Sequence, residues 1–227
     1  MRVVIAGAHG RVARRLGRLL SERGDPVIGI IRTADHETDL HADGVEPVVL
    51  DLERTTVDDL ASVVVVADAV VFAAGAPPES AHHHKDAVDR AAAVLLADAA
   101  EQAAIRPYLM MSSMGVETVA DGRIPEWMDD EYVEYLRAKL ASEEGVWARP
   151  AVDVTMLRPG RLTDDPGTGL VTLGRRAPEG TVSRDDVAAV MMRLLDVPRP
   201  GTVLELVSGT TPIDEAFDAL HRPASIS

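Results

Sequence analysis

The sequence predicts an α/β fold, a doubly wound parallel sheet with helices on both faces. Three observations carry that expectation. Short β-rich apolar runs alternate along the chain with segments of helical periodicity. Several of these runs are apolar without alternation, as strands covered on both faces are. The first run passes through a glycine turn straight into a helix, in VVIAGAHGRVARRL at residues 3–16. Alternating β and α units imply right-handed crossovers. Such a sheet takes ligands beyond the carboxyl ends of its strands, where strand order reverses.

The elements follow in order. A strand is expected at 3–6, and Val12, Leu16, Leu19 and Leu20 then recur at helical spacing. Further strands are expected at 27–31, 47–50, 69–73, 108–111, 154–157 and 203–206. Residues 62–66 (SVVVV) have β propensity, but their place between two strands requires a helix, and position decides. Val88, Ala91, Ala92, Leu95, Ala99 and Ala103 form one stripe in the helix ahead of the fifth strand. Ser183 with Asp186, and Thr211-Pro212 with Asp214, read as the starts of two late helices.

The 227 residues suit one domain, 1–227, since no composition break, linker or repeat divides them. A net charge of −14 argues against nucleic acid and anionic membrane as partners, both of which require clustered Lys and Arg. The chain has no cysteine, which excludes thiol chemistry and disulfides. Its most apolar run, 61–76, is broken by Asp68 and falls short of the roughly 20 residues of a spanning helix. A strand beginning at Arg2 leaves no room for a signal peptide, so a soluble, cytoplasmic protein is expected.

The first turn reads Gly7-Ala8-His9-Gly10-Arg11-Val12-Ala13, a G-x-x-G-x-x-A pattern. Glycine permits positive φ and lets a ligand approach the backbone, while the small Ala13 lets the helix pack tightly on the sheet. The first amides of the helix lack partners and its dipole adds about half a positive charge, which suits a pyrophosphate. Gly7, Ala8, His9, Gly10, Arg11 and Val12 are therefore the candidate phosphate cradle, His9 contributing mainly its backbone. The second strand ends Ile30-Ile31-Arg32-Thr33 with no acid before Asp35. An acid there would hold a ribose 2′-OH, whereas Arg32, joined by Arg11, can fork onto a 2′-phosphate. NADP is thus favoured over NAD.

The segments IAGAHGRVARRL, IIRT, VVLDLE, VVFAAGA, LMMSSMG, YLRAK, VTMLRPGRLTDDPGTG and SRDDVAAVMMRLL span nearly the whole chain. In their order and spacing the chain resembles the atypical branch of the short-chain dehydrogenase/reductase family. It is similar in particular to the small NAD(P)-binding, NAD-dependent epimerase/dehydratase-like members with a Rossmann fold. The resemblance implies that Asp51 and Leu52 lie against the adenine, that Ala73, Ala74 and Gly75 pass the ribose, and that Pro159 and Gly160 face the nicotinamide. It also implies a catalytic group of Ser, Tyr and Lys, here Ser113 (with Ser112 as second choice), Tyr135 and Lys139. Four residues apart on a helix, Tyr135 and Lys139 share a face. A tyrosine that titrates near pH 10 needs such a cation to work as a proton donor or acceptor at neutrality. Ser113 would stabilise the alkoxide-like oxygen.

In that family a fourth position, on the helix before the fifth strand, is usually Asn; here it is Asp89. Asp89 either anchors a water or the Lys139 ammonium, or pairs with Arg90 or Lys85 on the helix surface. The run His82-His83-His84 lacks the spacing of a metal site, because consecutive side chains point in different directions. Segments 114–128 and 161–180 remain to line a compact pocket, a small substrate-binding extension with Met114, Ile124, Trp127, Met128 and Leu162 as apolar lining. The expected activity is NADP-dependent hydride transfer to a small ketone, enone or quinone-like carbonyl. A cofactor-sensing regulator and an epimerase or dehydratase with retained cofactor are the alternatives, and a homodimer is compatible with the sequence.

Overall fold

β1 (Val3–Ala6) is fully buried at every residue and divides the core by alternation. Val3 and Ile5 face one layer, Val4 and Ala6 the other. A computed structural model describes residues 1–74, 85–120, 122, 124 and 128–220, the side chains of 85–89 excepted. After β1 come α1 (Arg11–Glu22), β2 (Val27–Ile31), α2 (Glu37–Ala42), β3 (Glu46–Val49), α3 (Val57–Val64) and β4 (Ala69–Phe72). Then follow α4 (Lys85–Gln102), β5 (Pro107–Met111), α5 (Asp130–Trp147), β6 (Asp153–Pro159), β7 (Arg161–Thr163) and β8 (Leu170–Gly174). β9 (Thr181–Ser183), α6 (Arg184–Asp196), β10 (Thr202–Ser208), β11 (Thr211–Pro212) and α7 (Ile213–Ala219) complete the order.

Among the described residues, nine strands form one sheet in the order β11-β8-β10-β6-β5-β4-β1-β2-β3. The pairs from β3 across to β10 are parallel, and β8 pairs antiparallel with both β10 and β11. This is the doubly wound α/β fold the sequence predicts. One layer packs Val12, Leu16 and Leu20 of α1 with Val187, Val190, Met191 and Leu194 of α6. The other packs Leu60 and Val64 of α3, Ala93, Leu96 and Ala97 of α4, and Val146 of α5. Strand order reverses between β1 and β4, which places the switch point directly above the glycine turn.

The ambiguous 62–66 run is helical through Val64, because Thr56 caps α3. Its hydroxyl accepts from Asp59 N–H at 3.2 Å, and its own N–H reaches the Asp59 carboxylate at 3.4 Å. Ser183 caps α6 as expected, accepting from Asp186 N–H at 3.0 Å. Two expectations are corrected. A helix does start there, but Thr211 and Pro212 form no capping pair with Asp214; they pair as β11 on β8, and α7 begins at Ile213 behind Pro212, an N-cap with no side-chain hydrogen bond. The α4 stripe is rotated, with Ala92, Ala93, Leu96, Ala97, Ala99 and Ala100 buried and Ala91 exposed, since α3 and α5 cover it from two sides. β7, β8 and β9, which build the extension around 161–180, are short and carry few β-branched residues in alternation, so the pattern does not announce them.

Candidate functional site

The glycine turn packs against the end of β4. Gly7 holds φ +78°, and a Cβ there would lie 2.5 Å from Ala74 Cα and 2.6 Å from Ala74 N. Only glycine fits both the left-handed backbone and that approach. The turn is tied by Gly10 N–H to Gly7 O at 3.0 Å, Ala8 N–H to Ile30 O at 3.1 Å and Ala73 N–H to Ala6 O at 3.0 Å. Gly10 is the N-cap of α1, with no side-chain hydrogen bond and no acid in the helix's first turn. The helix therefore presents its first amides and its positive dipole end with no acid in its own first turn, which fits an anionic group such as a dinucleotide phosphate. Ala8, Val12 and Ala73 are buried beneath this turn.

The Tyr–Lys pair meets the same place from the other side. Asp129 caps α5 by accepting from Tyr132 N–H at 2.7 Å, and this start places Tyr135 and Lys139 on the inward face of the helix. Lys139 is buried and donates from Nζ to Ala74 O at 3.2 Å. The same Nζ lies 5.9 Å from the Tyr135 ring centroid. Ala74 thus touches Gly7 through its backbone and Lys139 through its carbonyl, joining the glycine turn to the Tyr–Lys helix. The serines follow β5. Past the Phe72–Met110 pairing of β4 with β5, Ser112 stands level with Ala74. It is buried, with its Oγ unpartnered among the described residues, and its N–H donates to Leu157 O at 2.8 Å. Ser113 is more open and lies 3.1 Å from Met114 O.

The arginines at the cradle's rim take different directions. Arg11 pairs with Asp164 in the 161–180 segment, and Arg32 is exposed just past β2, 3.4 Å from Glu53. The structure does not bring Arg11 and Arg32 onto one point. Asp51 carries Arg54 at 3.7 Å and accepts from Glu53 N–H at 3.1 Å, while Leu52 packs against the α3–α4 layer. His9 does more with its side chain than the sequence suggests. It stacks on His36, centroids 3.6 Å apart and planes 3° apart, and its Nε2 lies 2.8 Å from Asp39 Oδ2. The His9 contact, followed by Arg14, holds the Asp39 carboxyl below its ordinary range. Asp43 is buried and accepts from Arg14 at 2.6 Å and from Arg18; burial raises its pKa, but the two guanidinium groups win and the net shift is downward.

Pro159 ends β6 and accepts from Met114 N–H at 3.0 Å; Gly160 donates to Leu206 O at 2.8 Å. A Cβ on Gly160 would lie 2.4 Å from Gly180 O, so this turn and the 161–180 segment close on each other. An ionic cluster beside the turn is not legible in the sequence. Arg158 forks onto Glu143 at 2.9 and 2.5 Å and reaches Glu117 at 3.1 Å, and Arg176 joins Glu117 and Glu205. Its members come from five segments and no short motif links them. Burial opposes the Arg158 charge, but Glu143 and Glu117 outweigh it and its pKa rises. Tyr132 is a further residue of this region, stacked 5.9 Å from Tyr135. Gly75, His82, His83, His84 and Trp127 lie outside the described residues, and Asp89 is described only as backbone within α4. No helix among the described residues is long and apolar enough to cross a membrane.

Comparison with known proteins adds the following. Residues 7–198 match the family described as NAD(P)H-binding. An uncharacterised sugar epimerase of Bacillus subtilis, YhfK, is 29% identical over 225 residues, covering 97% of this chain and 100% of that one. A solved structure from Bacillus halodurans, named as a candidate NAD-dependent epimerase/dehydratase, is 30% identical with a TM-score of 0.85, over 97% of this chain and 100% of that one. The anaerobilin reductase ChuY of Escherichia coli is 25% identical with a TM-score of 0.76, over 92% of this chain and 97% of that one.

Proposed function

The chain belongs to the NAD(P)H-binding family, and on that premise we propose that it is an NADP-dependent oxidoreductase. It would transfer hydride between the nicotinamide and a small ketone, enone or quinone-like carbonyl, with Tyr135 giving or taking the proton. The observation that carries this reading is the double role of Ala74. Its backbone fills the space a Gly7 side chain would need, and its carbonyl receives Lys139 at 3.2 Å, so the phosphate cradle and the acid–base pair share one residue. A domain that only sensed the nucleotide would need the cradle but not the pair.

Gly7, Ala8, His9, Gly10, Arg11 and Val12 would hold the diphosphate, Arg32 the adenosine 2′-phosphate, and Asp51 and Leu52 the adenine. Ala73 and Ala74 would border the ribose, and Pro159 and Gly160 the nicotinamide. When bound, NADPH supplies the hydride. Tyr135 holds the proton delivered to the substrate oxygen, and Lys139 beside its ring favours the phenolate left behind. Ser113 borders that oxygen at the carboxyl end of β5, and Ser112 keeps an unpartnered hydroxyl beneath it. Support also comes from the anaerobilin reductase, a reductase that shares the fold over nearly the whole chain.

The test is turnover of NADPH with a panel of ketones, enones and quinones by the purified chain. Tyr135→Phe should lower turnover by at least about a hundredfold, the usual share of a general acid–base group, with NADPH affinity within about threefold. A phenylalanine variant with wild-type turnover would refute the role of Tyr135. The sugar epimerase name of the Bacillus subtilis relative favours a second reading, an epimerase or dehydratase that retains its cofactor. Nucleotide that copurifies with the protein and survives dialysis would favour it over a reductase that releases NADP.

A further inference from the structure

Asp164 gathers guanidinium groups from two helices. It lies just past β7 in the stretch RLTDDPGTG, residues 161–169, which the proposed reaction leaves without a role. Arg11 of the cradle pairs with it, and Arg184, the first residue of α6, reaches its Oδ1 at 3.0 Å. Arg15, one turn past Arg11, lies 3.7 Å from the same oxygen but has a closer partner in Asp185 Oδ1 at 2.5 Å. The backbone beyond Asp164 is strapped to α6 as well. Gly167 N–H donates to Asp185 at 3.1 Å, and the Thr168 and Gly169 N–H groups donate to Asp186 at 3.1 and 2.8 Å.

The ion pairs of this node do not cancel. Three guanidinium groups, of Arg11, Arg15 and Arg184, meet two carboxylates, of Asp164 and Asp185. If Arg11 leaves, Arg15 keeps Asp185 and Arg184 keeps Asp164, so its departure strands no carboxylate. Arg11 is also the most exposed of the three side chains, at 63% against 29% for Arg15 and 16% for Arg184. It is the first residue of α1 after the N-cap Gly10, beside the amides that a nucleotide phosphate would use. Carboxylate and phosphate are alternative acceptors for the same guanidinium fork.

We propose that Asp164 competes with the nucleotide phosphate for Arg11, so that binding transfers Arg11 from the carboxylate to the phosphate and loosens the hold of the 161–169 segment on α1. This rests on the reading of the start of α1 as a nucleotide site. The exchange runs toward the phosphate because an ion pair this open to water is weak, whereas the phosphate also draws on the amides and dipole of α1. Nucleotide affinity is lower by the strength of the Arg11–Asp164 pair, which in return helps to dock the extension.

A double-mutant cycle on the full chain, with NADPH as the probe, tests the competition. Calorimetric titration compares wild type, Asp164→Asn, Arg11→Gln and the double variant. Asp164→Asn keeps an oxygen for Arg184 and should tighten NADPH binding about two- to fivefold, the share of an exposed ion pair. Arg11→Gln should weaken it about tenfold, through loss of a charge-assisted hydrogen bond. Adding Asp164→Asn to Arg11→Gln should change nothing further, since the competitor then has nothing to withhold. Asp165→Asn removes the same charge one residue along, from an exposed side chain, and should leave affinity within about twofold because solvent and salt screen it. Unchanged or weaker binding in Asp164→Asn would overturn the competition. An equal gain in Asp165→Asn or in the Arg11→Gln background would overturn it too, by marking a general loss of negative charge.

The same four proteins of the cycle, unfolded by denaturant without nucleotide, measure the pair itself. Linkage requires the Arg11–Asp164 coupling to favour folding by the factor that Asp164→Asn gains in affinity. No coupling in folding would overturn the pair. A wild-type protein that binds no NADPH refutes the nucleotide reading, and the competition with it; NADPH binding that is indifferent to Asp164 refutes the competition alone.

Discussion

A pair of glycine substitutions separates what the first turn does for folding from what it does for binding. Gly7→Ala forces an L side chain to φ +78° and drives a methyl to 2.5–2.7 Å from the Ala74 backbone and Cβ. The left-handed backbone costs about 1–2 kcal/mol and the overlap about 1–3 kcal/mol more. Together, about 2–5 kcal/mol corresponds to a melting temperature roughly 4–20 °C lower in a chain of this size. Gly10→Ala meets a different environment. Its φ is −60°, which alanine adopts freely, and its Cβ would lie 3.2 Å from Gly7 O and 3.5 Å from Ala73 O. A shift of a few tenths of an ångström relieves that contact, and lost unfolded-state entropy returns about 0.4–1 kcal/mol. Stability should therefore stay within about 1 kcal/mol of wild type. NADPH affinity should nevertheless fall at least about tenfold, because the methyl stands at the start of the helix where the phosphate must approach. Thermal melting and calorimetric titration of the two variants measure both effects. A Gly10→Ala protein that binds NADPH as wild type does would refute the cradle, and a Gly7→Ala protein of wild-type stability would refute the Ala74 contact.

Other residues give separate checks. Arg32→Asp should weaken NADPH binding by about 2–4 kcal/mol and leave NADH nearly unchanged, since it removes a charge-assisted contact and adds repulsion; equal losses for both nucleotides in titration would exclude a 2′-phosphate role. Asp43 has a folded pKa below its ordinary value, so its contribution to stability is complete above about pH 5 and is lost as pH falls through the folded value. Asp43→Asn should cost about 1–3 kcal/mol at neutral pH, reduced because Arg14 and Arg18 are partly exposed, and should flatten the acid limb of stability measured by denaturant titration. Ser183→Ala should destabilise by about 1 kcal/mol through loss of the α6 cap, read in the same assay.

The parallel half of the sheet was legible because strands buried on both faces leave uninterrupted apolar runs, as VVIA and VIGII do. The glycine turn was legible because Gly7 and Gly10 stand three apart at the junction of a strand and a helix, a pattern that four consecutive residues express. The extension was not. Among the described residues β7 and β9 pair only with each other, and β8 gains its place from an antiparallel partner far along the chain, so their formation depends on contacts no window contains. At the site, the Tyr135–Lys139 spacing is a local signal and was readable. The Arg158 cluster was not, since it joins segments distant in sequence. His9 was read as a backbone contributor because its partners, His36 and Asp39, arrive from beyond β2.

One calorimetric titration of the purified wild-type chain against NADP, NADPH, NAD and NADH tests the central claim most directly. Saturable binding of at least one pyridine nucleotide is expected, tighter for the phosphorylated pair and weakened in Gly10→Ala. No detectable complex with any of the four would contradict a nucleotide site at the start of α1 and, with it, the chemistry assigned to Tyr135 and Lys139.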